Sequence, residues 1–164
     1  MSTKKDHLSE LRAKLAANIA RVGWGVQAVM PGQDTRLDPS FAYTVGMTES
    51  LHHPELLMIG FQPGMMMKLM NDVGALIRGG QRFEDWSQST TVIQNYPVYF
   101  RAVPLTLARH WAKLASERYR NRGHFQLLQM FLPDAAGKFP WDPDCDPKMA
   151  RGQDHLMEAM SKRH

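Results

Sequence analysis

Phe41-Ala42-Tyr43-Thr44-Val45-Gly46-Met47, followed by Glu55-Leu56-Leu57-Met58-Ile59-Gly60-Phe61, is the stretch on which the fold reading turns. In the first run Phe41, Tyr43 and Val45 fall on one face by the period of two, and Ala42 and Thr44 on the other. The second run is almost unbroken in its apolar character, which predicts a strand covered on both faces. Gly46 either ends the first strand or lets another backbone approach closely. Residues 47–54 read as a loop between the two strands.

Upstream, Leu8, Leu11, Leu15, Ile19 and Val22 recur every three or four residues and predict an amphipathic helix over 6–22, stopped by Gly23. Residues 24–30 read as a strand, and Pro31-Gly32-Gln33-Asp34 as a turn. Downstream, Pro63 opens a helix whose stripe is Met66, Leu69, Met70, Val73, Leu76 and Ile77, stopped by Gly79-Gly80. Residues 81–94 form a looser segment holding Phe83 and Trp86. Residues 96–103 are strand-like, with Pro97 marking an edge or a bulge. A helix is expected over 105–119, with Leu107, Trp111, Leu114 and Ala115 inward, then a turn at Asn121-Arg122-Gly123 and a strand over 124–132. Turns and extended chain follow, and a terminal helix over 149–160. Strands and helices do not alternate as a regular βαβ series. The expected fold is therefore a single α+β domain built on a mostly antiparallel or mixed β-sheet with flanking helices: an N-terminal amphipathic helix at 1–22, then the domain proper at 23–164.

A chain of 164 residues buries enough surface to fold without a metal or disulfide. Apolar content of 43% and charged content of 22% are those of an ordinary soluble protein. One cysteine excludes an intrachain disulfide and fits a reducing cytoplasm. The N-terminus lacks the apolar core of a secretory signal, and no run is long enough to span a membrane. A net charge of +4 permits a nucleic-acid partner without requiring one. The oligomeric state is left open.

Two clusters carry candidate chemistry. The first holds Tyr43, Thr44, His52, His53 and Glu55, where His52 or His53 can act as a general base oriented by Glu55. The second holds Gln129, Asp134 and Trp141, with Trp141 as a stacking plate or a core wedge. Purely structural roles for all of these are equally physical: a satisfied Tyr hydroxyl, a histidine capping the loop at His52, backbone amides bonded by Glu55, a turn aspartate. Asp142, Asp144 and Asp146 have the spacing of a calcium loop but lack its glycine, and Gln153 stands where its glutamate belongs; no metal is expected. Cys145 among these acids is a poor nucleophile. Zinc, phosphate-loop and nucleophile-elbow motifs are missing. A basic stretch, Arg109 to Arg122 with Trp111 and Tyr119 interleaved, fits either a solvated helix face or a nucleic-acid contact.

Gly23-Trp24, the 41–47 run, His53-Pro54-Glu55-Leu56, Gln129, Pro133-Asp134, Gly137 and Phe139-Pro140-Trp141 together resemble an uncharacterised bacterial family known as a domain of unknown function. The resemblance spans roughly residues 20–156 and includes a closing Gln153-x-x-Leu156. It implies one soluble domain and joins the two clusters into one signature, but it brings no activity, cofactor or catalytic residue. The order of the first elements also matches the opening of flavin-reductase-like split barrels, which leaves flavin as a minority cofactor reading. The preferred expectation is a cytoplasmic binding domain with a pocket between 41–56 and 133–142. There Tyr43, Thr44, His53, Glu55, Asp134 and Trp141 would meet a small molecule or a protein partner. The alternatives are a small hydrolase or transferase using His53, Glu55 or Asp134, and a nucleic-acid-associated protein using 109–122.

Overall fold

A computed structural model describes residues 3–34 and 37–161. Helix α1 (Lys4–Val22) starts two residues before the apolar stripe predicts, because Thr3 and Asp6 form a reciprocal capping box. Gly23 closes it in the left-handed conformation. Strands β1 (Gly25–Val29), β2 (Phe41–Val45) and β3 (Glu55–Ile59) follow as an antiparallel meander, with the short helix α2 (Met47–Leu51) between β2 and β3. Helix α3 (Pro63–Arg78) leads to β4 (Gln88–Ile93) and β5 (Tyr96–Ala102). Helices α4 (Leu105–Trp111) and α5 (Lys113–Arg118) precede β6 (Leu127–Phe131). The chain then runs through α6 (Pro147–Gln153), a 3-10 turn (Asp154–Leu156) and α7 (Met157–Ser161).

The six strands form one mixed sheet in the order β1-β2-β3-β6-β5-β4, so the fold is α+β. Only β3 and β6 run parallel, and they lie side by side at its centre. Every residue of both is buried, as their near-continuous apolar runs require. On one face α3 presents Met66, Leu69, Met70, Val73 and Ile77 to Leu56, Met58, Leu128 and Met130. On the other, Leu15 and Ile19 of α1, Ala115 and Tyr119 at the α5 end, Phe139 and the C-terminal Leu156 and Met160 cover Tyr43, Val45, Leu57, Ile59 and Phe131. The alternation read at Phe41–Val45 thus divides the two halves of the core. Most of the methionines in these layers do fill gaps as adaptable apolar side chains.

Four expectations are corrected. The loop over 47–54 contains α2. The looser segment over 81–94 contains β4, whose Gln-Ser-Thr-Thr composition carries little apolar alternation because it is the exposed edge. Of the two readings of Pro97, the edge therefore fails and the bulge holds. Pro97 falls where the β4–β5 register breaks between Ser89 and Ile93, so its missing N–H removes no ladder bond. The helix over 105–119 is broken at Ala112 (φ −101°, ψ 63°), where the Leu114 N–H donates to the Tyr43 hydroxyl at 3.1 Å. The terminal helix over 149–160 is likewise divided by the 3-10 turn.

Gly46 serves both purposes foreseen for it. Its φ of +112° turns the chain from β2 into α2, and a Cβ there would lie 2.7 Å from Ile19 Cγ1 and 2.9 Å from the Gly23 carbonyl oxygen. Gly46→Ala is expected to lower stability by about 2–4 kcal/mol in urea unfolding, from combined backbone strain and steric conflict. A loss under about 1 kcal/mol would mean that the α1–β1 junction yields freely.

Candidate functional site

The first cluster is organised by the carboxylate of Glu55, which is fully buried at the start of β3. Its Oε1 accepts from the Thr44 hydroxyl (2.9 Å) and the Met47 N–H (3.1 Å). Its Oε2 accepts from the Thr48 N–H (2.9 Å), the Thr48 hydroxyl (2.7 Å) and the Tyr119 hydroxyl (2.9 Å). Burial pushes the carboxyl pKa up, and the donors of Thr48, Tyr119 and Thr44 pull it back toward the charged form. Glu55 thereby caps α2 from eight residues downstream, satisfying N–H groups that no residue inside the helix can. Thr44 Oγ1 also accepts the Leu56 N–H, and the Tyr119 hydroxyl accepts the Gly46 N–H. Burial, with Glu55 beside it, drives the Tyr119 hydroxyl pKa strongly upward, so it stays a donor. In the sequence Tyr119 stands only as an aromatic interleaved in the basic stretch 109–122; the fold makes it a donor to Glu55 instead.

His53 is also buried. Its Nδ1 lies 2.9 Å from the Pro54 carbonyl oxygen and its Nε2 accepts the Phe83 N–H at 3.0 Å. A carbonyl can only accept, so the proton sits on Nδ1 and the ring is neutral. Burial lowers its pKa in agreement. Neither nitrogen is left for a substrate proton, and Glu55 is not its partner.

In the second cluster Asp134 Oδ1 accepts from the Ala136 and Lys138 N–H groups, and Oδ2 from the Asp146 N–H, all at 2.8–2.9 Å. These bonds, led by that from Asp146, hold its carboxyl below the usual range. Asp142 and Asp146 similarly accept from the Phe139 and Lys148 N–H groups, and Asp144 faces Lys138 at 3.5 Å. Burial and then the neighbouring Asp134 and Asp146 raise the Cys145 thiol. Among the described residues no cluster of metal-ligating side chains is assembled. Trp141 is half-buried in an aromatic group with Phe139 (5.1 Å, stacked), Phe131, Tyr99 and Trp86. Gln153 bonds both backbone groups of Leu132, and Gln129 Nε2 donates to the Gln153 carbonyl, so these signature glutamines tie α6 to β6.

Thr44 and Glu55 are thus brought together. His53 and Asp134 are each bound to backbone elsewhere. Phe139 and Trp141 share an apolar layer with Tyr43 rather than a polar site. Tyr43 lines one of five well-formed surface cavities, whereas Thr44, His53, Glu55, Asp134 and Trp141 line none of those five. The Tyr43 cavity has a volume of about 440 Å³. Phe41 and Trp111 form its aromatic wall, packed edge to face at 4.8 Å, and Asp38, His110 and Lys113 are its polar residues. Burial pushes the Tyr43 hydroxyl up to about 12, which keeps it protonated while it accepts from Leu114. Trp111 read as an inward helix residue; it is half-buried, and its neighbours His110 and Lys113 were the available signal.

The basic stretch is partly neutralised. Glu49 pairs with Arg118 and approaches Arg122 at 3.6 Å, and Glu117 pairs with Arg12 at 2.8 Å. Arg109, Arg120 and His124 line a separate cavity of about 430 Å³. Among the described residues no helix is long and apolar enough to cross a membrane.

The family model described as Domain of unknown function (DUF4262) matches residues 18–146, most of the chain, and the chain belongs to that family. No curated protein and no solved structure matches it.

Two measurements probe the buried groups. Glu55→Ala strands five donors and is expected to cost on the order of 3–5 kcal/mol in chemical denaturation; a cost under about 1 kcal/mol would remove Glu55 from the centre of the fold. Unfolded His53 takes up a proton near pH 6.5, whereas the folded residue does so only at lower pH. The unfolded state therefore binds more protons in between, and stability should fall as the pH drops below about 6.5. His53→Gln should flatten that part of the urea-midpoint profile, and an unchanged slope would assign the dependence to other groups.

Proposed function

We propose that this DUF4262 domain binds a small ring-bearing molecule in the cleft between the β1–β2 end of the sheet and the α4–α5 break. The observation that carries this reading is the exposure of Met30 (70%) and Leu37 (79%). They are the two most exposed large apolar side chains among the described residues, and both line the cleft walled by Phe41, Tyr43 and Trp111. Scattered exposed apolar residues need no explanation, but two flanking one aromatic concavity mark a surface that gains from being covered. A concavity of this size fits a small molecule better than the flatter face of a protein partner.

Aromatic walls favour a planar ring, which contacts large apolar area at small entropic cost. Asp38, His110 and Lys113 at the exposed margin supply donors and acceptors for its polar edge. In this reading the first signature segment contributes Phe41 and Tyr43 to the site. Its Thr44, His53 and Glu55 hold the backbone that presents them.

The test is ligand-observed NMR and calorimetry with indole, quinoline and the four common ribonucleosides. At least one should bind, and Trp111→Leu should weaken it about tenfold or more while thermal unfolding changes little. Binding that ignores both Trp111→Leu and Met30→Ser would move the site elsewhere.

A further inference from the structure

We infer that the ligand of the aromatic cleft is a nucleotide, its phosphate held in the adjoining cavity by Lys148 and Arg151. This rests on the reading of the cleft as a small-molecule site. Pro31 and Pro39 line both the cleft and a second cavity of about 540 Å³, so the two concavities share a wall. Lys148 and Arg151 of α6 line that second cavity. Both are exposed, and neither forms an ion pair with the described residues. No acidic side chain among the described residues lines it. Two uncompensated cations on one wall favour a dianionic group, and the arginine fork matches phosphate geometry.

A second observation concerns the cavity's two glycines. Gly60 is required by packing: its φ is +94°, and a Cβ there would lie 2.0 Å from the Gly152 carbonyl oxygen. Gly152 is not. It lies within α6, where glycine is a poor helix former, and a Cβ there would meet only the Gly60 carbonyl oxygen, at an ordinary 3.7 Å. Lys148, Arg151 and Gly152 stand at positions i, i+3 and i+4, on one face of the helix. The missing side chain at 152 leaves the end of that face, beside the two cations, without a Cβ, which would let a ligand group approach the backbone there.

Ring and phosphate thus have separate, contiguous compartments. The cleft takes the base against the wall that Phe41 and Trp111 form together, and the α6 face takes the phosphate. The step is binding alone; no bond is made or broken.

Calorimetry on the full chain with adenosine, guanosine, cytidine and uridine, and with their 5′-monophosphates, tests the inference. At least one monophosphate should bind about tenfold tighter than its nucleoside. Lys148→Ala/Arg151→Ala should abolish that gain and leave nucleoside binding unchanged. Gly152→Ala should reduce the gain about threefold or more without lowering the melting temperature. A nucleoside that binds in a Trp111-dependent way with no gain from phosphate overturns the inference and leaves the cleft reading standing. So does a phosphate gain that survives the double substitution. Binding of none of the nucleosides or monophosphates overturns the nucleotide assignment, and the cleft reading then stands or falls on indole and quinoline.

Discussion

A carboxylate buried with five donors around it sets the geometry of the sheet's central junction. Glu55 stands where β3 begins, and its donors come from β2 (Thr44), from α2 (Met47 and Thr48) and from the end of α5 (Tyr119). An isolated charge there would cost far more than the fold can spare, so the donors and the acceptor presuppose one another. Gly46 completes the arrangement, because only its left-handed turn brings the first N–H groups of α2 toward the carboxylate. The α2 helix is five residues long and could not persist alone. It exists because a residue outside it satisfies its N-terminus.

The same device recurs one residue earlier, on the other face of β2. The Tyr43 hydroxyl accepts from Leu114, the N–H that a continuous helix would have directed to its own carbonyl. The helix breaks at Ala112, and α5 begins with the Tyr43 hydroxyl satisfying one of its first N–H groups. One strand therefore starts two helices, α5 directly through Tyr43 and α2 through Thr44 and Glu55. The signature polar residues lie inside this frame, and the concave surface lies just outside it, where α4 meets β1 and β2.

That division explains what was legible in the sequence. The period of two at Phe41–Val45, the apolar run at Glu55–Ile59 and the stripe of α3 are local patterns set by burial, and each marked its element. The stop at Gly23 and the turn after Asp134 are also local. By contrast α2, the break at Ala112 and the β4 edge depend on partners that sequence spacing does not reveal: Glu55 for α2, Tyr43 for the break, and β5 with its bulge for β4. The site was half legible for the same reason. Tyr43 stood out by type, but Met30, Leu37 and Trp111 carry weight only because the fold leaves two of them uncovered beside the third. Their residue types alone read as core.

The rigidity of the frame bears on what the cleft can do. Its wall residues Phe41 and Tyr43 sit on a strand paired on both sides, and the Tyr43 hydroxyl is fixed by α5. On the opposite margin the Gly32 N–H donates to the Asp38 carbonyl, and the Leu37 and Asp38 N–H groups donate to the Asp34 carbonyl. A ligand entering there meets one fixed aromatic wall and one margin that carries short-range backbone bonds of its own. Binding that orders little of the wall loses little entropy, so selectivity falls to the polar margin and to whatever the ligand extends past Pro31 and Pro39. An aromatic cleft alone tolerates many rings. A cleft that continues into a cationic helix face would discriminate by charge as well, so on the nucleotide inference the phosphate compartment rather than the ring compartment would set the ligand class.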